Sequence, residues 1–406
     1  MNRRIVSVLS LTIALVLCMA MTTTAMAATT MSGSTNAATV SVPVYLVMDS
    51  NITNYPTTAI TLTVTSATPA AKTDGNFPVT AGIIEGVKIG DATAADDKVA
   101  GTVTFTTGVT PTASGSGQAI TQENKYFLTQ NLTVDFSGVT FTEPGVYRYA
   151  ITESGTMPTG VTLDETNPRY IDVYVEYEAT TTNGGTTYAD ELTVQGFVVH
   201  SDNGQVAAST TTGGTTGSYT GEGKGGFENE YGAHHLTVEM QVSGNQGSRS
   251  KYFTVNVVIS GLDKGIALAV NTAGAVNTRS EANPAQMTAG DDGVAIGTFS
   301  LMHNQKIVIQ NLPKGALYTV TEVFEDYVPS VTSTGAVGLT GSVQADGLSY
   351  AVNGPAGGIT VDTGITLINT KIGIIPTGVL LTLAPFGVLM VVGLAGAVLV
   401  LKKKRN

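Results

Sequence analysis

The chain has 406 residues, of which 31 are acidic and 20 are Lys or Arg, and its formal net charge is −11. Six of the positive charges lie at the two termini, so the rest of the chain has 14 basic residues against 31 acidic ones, a net charge of −17. A nucleic-acid-binding protein needs a basic patch, and the basic residues here are single and scattered, which excludes that class of partner. About 350 residues between the termini are enough for two or three domains with their own cores.

The N-terminal segment predicts secretion. The basic pair Arg3-Arg4 precedes an apolar stretch over residues 5–20, and Ala25-Met26-Ala27 has the small residues of a signal-peptidase site. We therefore expect residues 1–27 to be a signal peptide that is removed. The single cysteine, Cys18, lies in the apolar stretch, so the exported chain would contain no disulfide bond.

Composition and pattern between the termini predict an all-β protein. This part is rich in Thr, Val, Gly and Ala, and the chain contains no Trp. Hydrophobic and polar residues alternate with a period of two, as in strands with one buried face, at residues 60–65, 170–177 and 252–259. Clusters of Asn, Asp and Gly that favour turns separate such segments. We predict antiparallel β-sandwiches, and no amphipathic helix outside the termini.

A weak internal repeat indicates two domains. Residues 141–153 and 311–322 share a Pro, a Gly turn and the pattern Tyr-x-[Ile/Val]-Thr-Glu. A predicted closing strand that contains an Asn follows each copy, at residues 227–231 and 367–370. Two similar units of this kind point to a duplicated fold.

The repeat also suggests where the domains begin and end. We predict the first domain over residues 39–231, with insertions around residues 66–100 and 179–222, where Gly, Thr, Ser and Asp dominate. The second domain would cover residues 236–371. His234-His235 would then form an exposed link between the two.

The C-terminal segment combines a motif, an apolar run and a basic tail. Ile374-Ile375-Pro376-Thr377-Gly378 precedes 23 uncharged residues at 379–401, and residues 402–405 are all basic. As a helix, the run would be about 34 Å long, enough to span a hydrocarbon core of about 30 Å. The basic residues would keep the tail, 402–406, in the cytoplasm. The pentapeptide resembles the sorting signal that Gram-positive sortases cut between Thr and Gly, so Thr377 would become the new C-terminus.

The repeated Tyr-x-[Ile/Val]-Thr-Glu motif with a late Asn strand resembles the isopeptide-forming Ig-like domains of Gram-positive backbone pilins. The resemblance spans nearly the whole chain between the termini and implies two tandem Ig-like β-sandwiches. In that family a Lys on the first strand attacks the amide of an Asn on the last strand, and a buried Glu transfers protons. The resemblance assigns the acid to Glu153 and Glu322, and the amide to Asn229 and Asn369.

The lysine of this triad has no counterpart in the sequence. The first strand of the second domain has Met240 at the lysine position, and that of the first domain has Leu46, or Met48 if the register shifts by two. No lysine occurs between residues 5 and 71. We therefore expect no intramolecular isopeptide bond unless a distant lysine substitutes. Each Glu and Asn would then form a plain hydrogen-bonded pair in the core.

One lysine lies where polymerisation of a backbone pilin would need it. In that family the sortase joins the cleaved Thr of one subunit to a Lys of the next, a few residues before the closing Asn strand of the N-terminal domain. Lys224 is five residues before Asn229, has a glycine on each side and is the only lysine between residues 126 and 250. The resemblance makes Lys224 the candidate intersubunit lysine. The alternative interpretation is a lysine in a solvated loop.

No other group of residues indicates chemistry. The histidines lack the spacing and the acidic or Cys partners of a metal site; they are His200, His234, His235 and His303. No nucleophile, phosphate-binding or dinucleotide-binding motif is present in a suitable context. We therefore expect no enzyme activity, no metal and no cofactor.

Two classes of function fit this sequence. The favoured one is a structural subunit of a cell-surface pilus, which a sortase cuts, links to other pilin copies and finally attaches to peptidoglycan. The other is a monomeric wall-anchored adhesin or minor pilin, whose insertions in the first domain bind a host or matrix ligand. Both imply secretion, transient anchoring in the membrane through the C-terminal helix and a final location in the Gram-positive cell wall.

Overall fold

The computed structural model describes residues 38–52, 54–68, 73–74, 77–90, 99–182, 185–200, 226–272, 283–336, 339–373 and 389–395. Nearly all the regular structure in these ranges is β-strand, so the prediction of an all-β chain is confirmed. Residues 389–395 are helical, and within the described ranges no helix is long and apolar enough to cross a membrane. The predicted signal peptide, Lys224, the sorting motif and most of the apolar run lie outside the described residues.

The strands from Thr39 to Tyr231 form two sheets, which we call the N-terminal unit. These strands are β1 (Thr39–Asp49), β2 (Thr58–Ser66), β3 (Thr73–Asp74), β4 (Phe77–Ala81), β5 (Lys88–Ile89), β6 (Ala100–Phe105), β7 (Thr112–Ala113), β8 (Lys125–Asp135), β9 (Gly145–Ser154), β10 (Val161–Thr162), β11 (Arg169–Thr182), β12 (Gly185–His200) and β13 (Phe227–Tyr231). One sheet has the order β10-β13-β1-β8-β5, and the other has the order β12-β11-β9-β2-β6. The short strand β4 pairs in parallel with the start of β9.

The strands from Ala233 to Thr370 form two further sheets, which we call the C-terminal unit. These strands are β14 (Ala233–Ser243), β15 (Phe253–Ser260), β16 (Ala267–Asn271), β17 (Gln286–Thr288), β18 (Ala295–Leu301), β19 (Gln305–Pro313), β20 (Leu317–Val323), β21 (Val328–Thr334), β22 (Gly341–Val343), β23 (Ser349–Asn353) and β24 (Thr363–Thr370). Their orders are β17-β16-β19-β14-β24-β21 and β18-β15-β20-β23-β22.

The two units repeat one topology. In each unit the first and last strands are parallel neighbours, β1 with β13 and β14 with β24. In each unit the motif that ends in Glu lies on a strand of the opposite sheet, β9 or β20. Each unit therefore encloses its own apolar core between two sheets, with the Asn strand on one side and the Glu strand on the other.

Alternating hydrophobicity produces these sheets. In β15 every second residue is buried, namely Phe253, Val255, Val257 and Ile259, and the residues between them are partly exposed. Successive side chains of a strand point to opposite faces, so one face of β15 lines the core. The other two segments with predicted alternation lie in β2 and β11.

The junction between the units is shorter than the sequence suggested. Only Gly232 separates β13 from β14, and His234 and His235 belong to β14 as half-buried residues. The Nδ1 atom of His235 accepts a hydrogen bond from the backbone N–H of Asn311 at 3.3 Å. The interpretation of the two histidines as an exposed link is therefore wrong, because pairing with β19 continues almost to the first unit.

Direct contacts fix which end of each unit faces the other. The Asn54 side chain donates to the carbonyl of Ala267 at 2.9 Å, and the Thr159 N–H donates to Asp263 Oδ2 at 3.3 Å. The starts of β1 and β13 therefore lie at the distal end of the N-terminal unit. The ends of β14 and β24, near Thr370, lie at the distal end of the C-terminal unit.

Candidate functional site

The C-terminal unit brings its predicted acid and amide together. Glu322 on β20 and Asn369 on β24 are both fully buried, and Asn369 Nδ2 donates to Glu322 Oε2 at 3.0 Å. This hydrogen bond crosses the core from one sheet to the other. Neither Glu322 Oε1 nor Asn369 Oδ1 has a hydrogen-bond partner among the described residues. Two of the four polar side-chain atoms of the pair therefore have no hydrogen-bond partner among the described residues.

A thioether completes this site. The side chain of Met240 on β14 is fully buried, and its sulfur lies 3.6 Å from Asn369 Nδ2. Met240 lies opposite Leu367 in the parallel pairing of β14 with β24, two residues before Asn369 along β24. A Met side chain at this position points to the same face as Asn369 and reaches along the strand to it. The sulfur is a weak acceptor and carries no N–H, so Met240 cannot form an amide bond with Asn369.

Burial sets the protonation of the acid. Removal from water raises the pKa of Glu322 to about 7, and the hydrogen bond from Asn369 offsets only part of that effect. No cation among the described residues contributes to this change in the pKa of Glu322. Near neutral pH a large share of Glu322 is therefore the neutral acid, the form that polarises an amide.

The N-terminal unit contains the equivalent pair. Asn229 on β13 is fully buried, and its Nδ2 donates to Glu153 Oε1 at 2.9 Å and to the carbonyl of Tyr45 at 3.3 Å. Its Oδ1 accepts from the backbone N–H of Asp164 at 3.1 Å. Burial raises the pKa of Glu153 to about 7, while the Asn229 hydrogen bond and nearby Arg169 oppose the rise. Here the amide uses both its oxygen and its nitrogen.

A buried ion pair holds this second amide in place, and sequence reasoning missed it. Arg169 Nη2 lies 2.5 Å from Asp164 Oδ2, and Arg169 Nε donates to the carbonyl of Gly226 at 3.0 Å. Asp164 Oδ2 also accepts the backbone N–H of Glu228 at 2.7 Å. The pair therefore fastens the start of β13, the strand that carries Asn229, to the segment before β11. The only signal in the sequence is an acid and an Arg five residues apart.

In the N-terminal unit, the strand register indicates a different position for the missing lysine than the sequence predicted. Met240 lies opposite the residue two before Asn369, whereas Leu46 lies directly opposite Asn229 and Met48 opposite Tyr231. The residue opposite Phe227, two before Asn229, is Val44. The register therefore favours Val44 over Leu46 and Met48 as the counterpart of Met240. All three are fully buried, and an alternating apolar strand has no feature that marks its register.

A second buried polar group lies outside the repeated motif. Arg148 donates through Nε to Asp172 Oδ1 at 2.7 Å and through Nη2 to Asp172 Oδ2 at 2.8 Å, and His200 Nε2 lies 3.2 Å from the same carboxylate. All three are almost fully buried. Burial alone would raise the pKa of Asp172, but the bonds from Arg148 and His200 hold it below its usual value. The carbonyl of Arg148 accepts the N–H of Gly82, just after β4, so this part of the insertion after β2 is bonded to the strand that carries Arg148.

Comparison with known proteins agrees with the resemblance seen in the sequence. A family model described as a domain of unknown function, DUF7601, matches residues 234–353. A protein named Pilin from Streptococcus pyogenes serotype M1 is 28% identical over 285 residues, which covers 68% of this chain and 72% of that protein. The resemblance to a Gram-positive major pilin is therefore confirmed.

Solved structures of major pilins are also similar to this chain. The crystal structure of the major pilin from Streptococcus pyogenes aligns with 83% of this chain and 100% of its own, with 23% identity and a TM-score of 0.49. The T3.2 major pilin of the same species aligns with 82% of this chain and 100% of its own, with 19% identity and a TM-score of 0.45.

Proposed function

We propose that this chain is a structural subunit of a cell-surface pilus. A sortase would cut it between Thr377 and Gly378 and join Thr377 to Lys224 of another copy, and the finished polymer would be attached to peptidoglycan. In this proposal the two β-sandwich domains span residues 39–231 and 236–371, and residues 1–27 and 379–401 serve export and transient membrane anchoring.

The observation that carries the proposal is the placement of the chain segments next to the two reactive residues. Gly226, two residues after Lys224, adjoins the start of β13 at the distal end of the N-terminal unit. Gly373, four residues before Thr377, follows β24 at the distal end of the C-terminal unit. The described residues nearest in sequence to the proposed donor and acceptor therefore lie at opposite ends of the fold, which supports head-to-tail linkage.

The arrangement of the buried pairs supports a structural role rather than catalysis. Each Glu and Asn is buried in a core, and each pair connects the closing strand of a unit to the opposite sheet. A hydrogen bond between buried side chains contributes about 0.5–1.5 kcal/mol to stability, and this contribution is structural.

A boiled, detergent-treated wall extract tests the proposal. Antibody against the chain should detect a high-mass ladder, and Lys224→Arg should abolish that ladder while single subunits still reach the wall, because a guanidinium stays protonated. The control is Lys88→Arg, since Lys88 pairs with Asp135 at the same distal end and should leave the ladder unchanged. A single band from wild-type cells would contradict the polymer and favour the adhesin. A ladder lost only in Lys88→Arg would transfer the acceptor role to Lys88.

A further inference from the structure

The proposed linkage determines which part of the chain would carry a pull along the pilus. Tension would enter at Lys224, just before β13, and leave at Thr377, a few residues after β24. The covalent path between these two residues contains β13, Gly232 and the whole C-terminal unit. Strands β1 to β12 precede Lys224 in the chain, so they lie beside this load path and not within it.

The N-terminal unit lies on the load path through β13 alone. The two ends of β13 (Phe227–Tyr231) would be pulled in opposite directions with equal force, so no net force would draw this strand out of its sheet. The strand is already extended, at about 3.3 Å per residue, and has little length to release. The N-terminal unit would therefore stay folded while the C-terminal unit carries the load.

The C-terminal unit would be pulled through two neighbouring strands. The force would act at the start of β14, next to the N-terminal unit, and at the end of β24, at the distal end. These strands are parallel and paired from Leu236 opposite Thr363 to Ser243 opposite Thr370. The hydrogen bonds of a parallel pair are evenly spaced along the strands. Opposite forces along the strands would therefore load these bonds together in shear, rather than one after another.

Further hydrogen bonds continue this pairing past the ends of both strands. Ser243 Oγ and Thr370 Oγ1 are 2.8 Å apart, and the N–H of Lys371 donates to the carbonyl of Ser243 at 3.1 Å. The Asn245 side chain donates to the carbonyl of Gly373 at 3.0 Å and accepts the Gly373 N–H at 2.9 Å. The chain that leaves the unit is therefore fastened to the turn after β14, where tension would leave the fold.

The chain between the two loaded ends is long. Thr370 follows Ala233 by 137 residues (370 − 233), which gives an extended length of about 480 Å at about 3.5 Å per residue. In the folded unit these residues are only about 33 Å apart along the strands, because Thr370 lies opposite Ser243, ten residues after Ala233. Met240 cannot form an amide bond that would tie β14 to Asn369. Unfolding would therefore release about 450 Å.

We propose that the C-terminal unit is a force-bearing element that unfolds reversibly under tension and lengthens each subunit by about 450 Å. The paired strands β14 and β24 resist the pull until their hydrogen bonds break, and the released chain then absorbs work that would otherwise load the covalent bonds of the pilus. A small β-sandwich refolds cooperatively when the tension falls. This inference rests on the proposed pilus and on Lys224 as its acceptor, and it adds a mechanical function.

Force spectroscopy on purified pili tests this function. Wild-type pili should lengthen in steps of about 450 Å and repeat these steps after relaxation. The test variant combines Ser243→Cys with Thr370→Cys, because the two side-chain oxygens are 2.8 Å apart and the exported chain has no cysteine of its own. This disulfide would join β14 to β24 and bypass the chain between them. Oxidised pili of the variant should lose the steps, and a reducing agent should restore them.

The matched control places a disulfide in the N-terminal unit, beside the load path. It combines Thr61→Cys with Thr102→Cys, because their side-chain oxygens on β2 and β6 are 3.0 Å apart. Steps should have the same length and frequency in oxidised and reduced pili of this control, since its disulfide lies in a unit that carries no load. Mass spectrometry of digested pili establishes that each disulfide has formed.

The outcomes separate the two proposals, because a gel shows whether the polymer exists before it is pulled. Absence of the ladder in the wild type would contradict the pilus itself and with it the load path. With a normal ladder, the mechanical function would be overturned if wild-type pili break without lengthening, if steps persist in the oxidised test variant, or if the control disulfide changes the step length. Selective loss and recovery of the steps in the test variant would support both proposals.

Discussion

Asn369 Nδ2 lies 3.0 Å from Glu322 Oε2 and 3.6 Å from the sulfur of Met240. The C-terminal unit therefore keeps the acid and the amide of a bond-forming triad in contact and places a thioether where the amine would be. The unit has the geometry for a covalent link between its first and last strands but lacks the nucleophile. We therefore expect noncovalent interactions, chiefly packing and hydrogen bonds, to stabilise this unit.

The first prediction concerns the mass of the exported chain. Because the register positions next to both amides hold apolar side chains, the intact mass of residues 28–377 should equal the sequence mass. Electrospray mass spectrometry of the purified segment measures this directly. Loss of one or two ammonias would show that a distant lysine completes a bond.

Introducing an amine at position 240 should restore the reaction. In Met240→Lys the amine nitrogen would attack the side-chain carbonyl carbon of Asn369, the amide nitrogen would leave as ammonia, and the neutral Glu322 acid would transfer the proton. The variant should lose one ammonia and unfold at a higher temperature, since a cross-link between the first and last strands restricts the unfolded chain.

The matched control for this variant is Met240→Leu, which keeps an apolar side chain of similar size and should change neither the mass nor the melting temperature by much. The combined Met240→Lys, Glu322→Gln variant should keep its ammonia. Retention of ammonia by Met240→Lys alone, with a lower melting temperature, would mean that the pair has become purely structural.

Breaking the buried ion pair of the N-terminal unit should cost far more stability than breaking an exposed one. Arg169→Met leaves Asp164 buried without its cation, and such losses cost about 3–5 kcal/mol. The control is Lys264→Met, because the Lys264–Asp291 pair is 75% and 86% exposed and such pairs contribute about 0–1 kcal/mol. Urea unfolding of residues 28–377 gives both values. Equal effects would show that Arg169 does not hold β13 in place.

Stability should fall as the pH rises toward neutrality. Burial raises the pKa of Glu322 from 4.5 to about 7, so between these values the folded state binds a proton that the unfolded state does not. The contribution of the protonated Glu322 to the free energy of unfolding is complete below pH 4.5 and is lost as the pH rises through 7. The difference is roughly 3 kcal/mol for this fully buried group. Glu153 acts in the same direction.

Glu322→Gln isolates this effect, since the amide keeps the shape and accepts the Asn369 hydrogen bond but does not titrate. Burial lowers the pKa of His234, so this residue makes stability rise with pH and opposes the effect of Glu322. The quantity to compare is therefore the change of unfolding free energy with pH in the wild type and in Glu322→Gln. Urea unfolding from pH 4.5 to 8 should give a smaller downward slope for the variant. Identical slopes would place the Glu322 pKa near its ordinary value.

Local patterns in the amino-acid sequence predicted much of the fold. Alternation over residues 60–65, 170–177 and 252–259 marks segments of β2, β11 and β15, because one face of each strand is buried. The resemblance to pilin domains assigned an acid and an amide to each unit, and Glu153 contacts Asn229 as Glu322 contacts Asn369. No local sequence pattern predicted the contacts between residues far apart in the chain. The bond from Arg169 to Gly226 spans 57 residues, and the register that distinguishes Val44 from Leu46 depends on a partner strand far along the chain.

Two further features were not predicted because they depend on contacts with other strands. Asp172 occupies a polar position of an alternating strand, a pattern that favours exposure to solvent, but it is fully buried beside Arg148 and His200. The ends of β11 and β12 lie in a predicted insertion, and the pairing of Thr180 with Thr187 and of Thr181 with Thr186 there was not predicted from the composition of the segment. Lys224 and the sorting motif lie outside the described residues, and their roles stay predictions.

The most direct test of the central claim is the chemical identity of the bond between subunits. Polymers released from the wall by muramidase are digested with trypsin and searched by mass spectrometry for branched peptides. The account predicts a peptide in which the carboxyl carbon of Thr377 is joined to Nζ of Lys224, with residues 378–406 absent. Recovery of Thr377 joined only to peptidoglycan stem peptide, or of an intact Thr377–Gly378 bond, would contradict it.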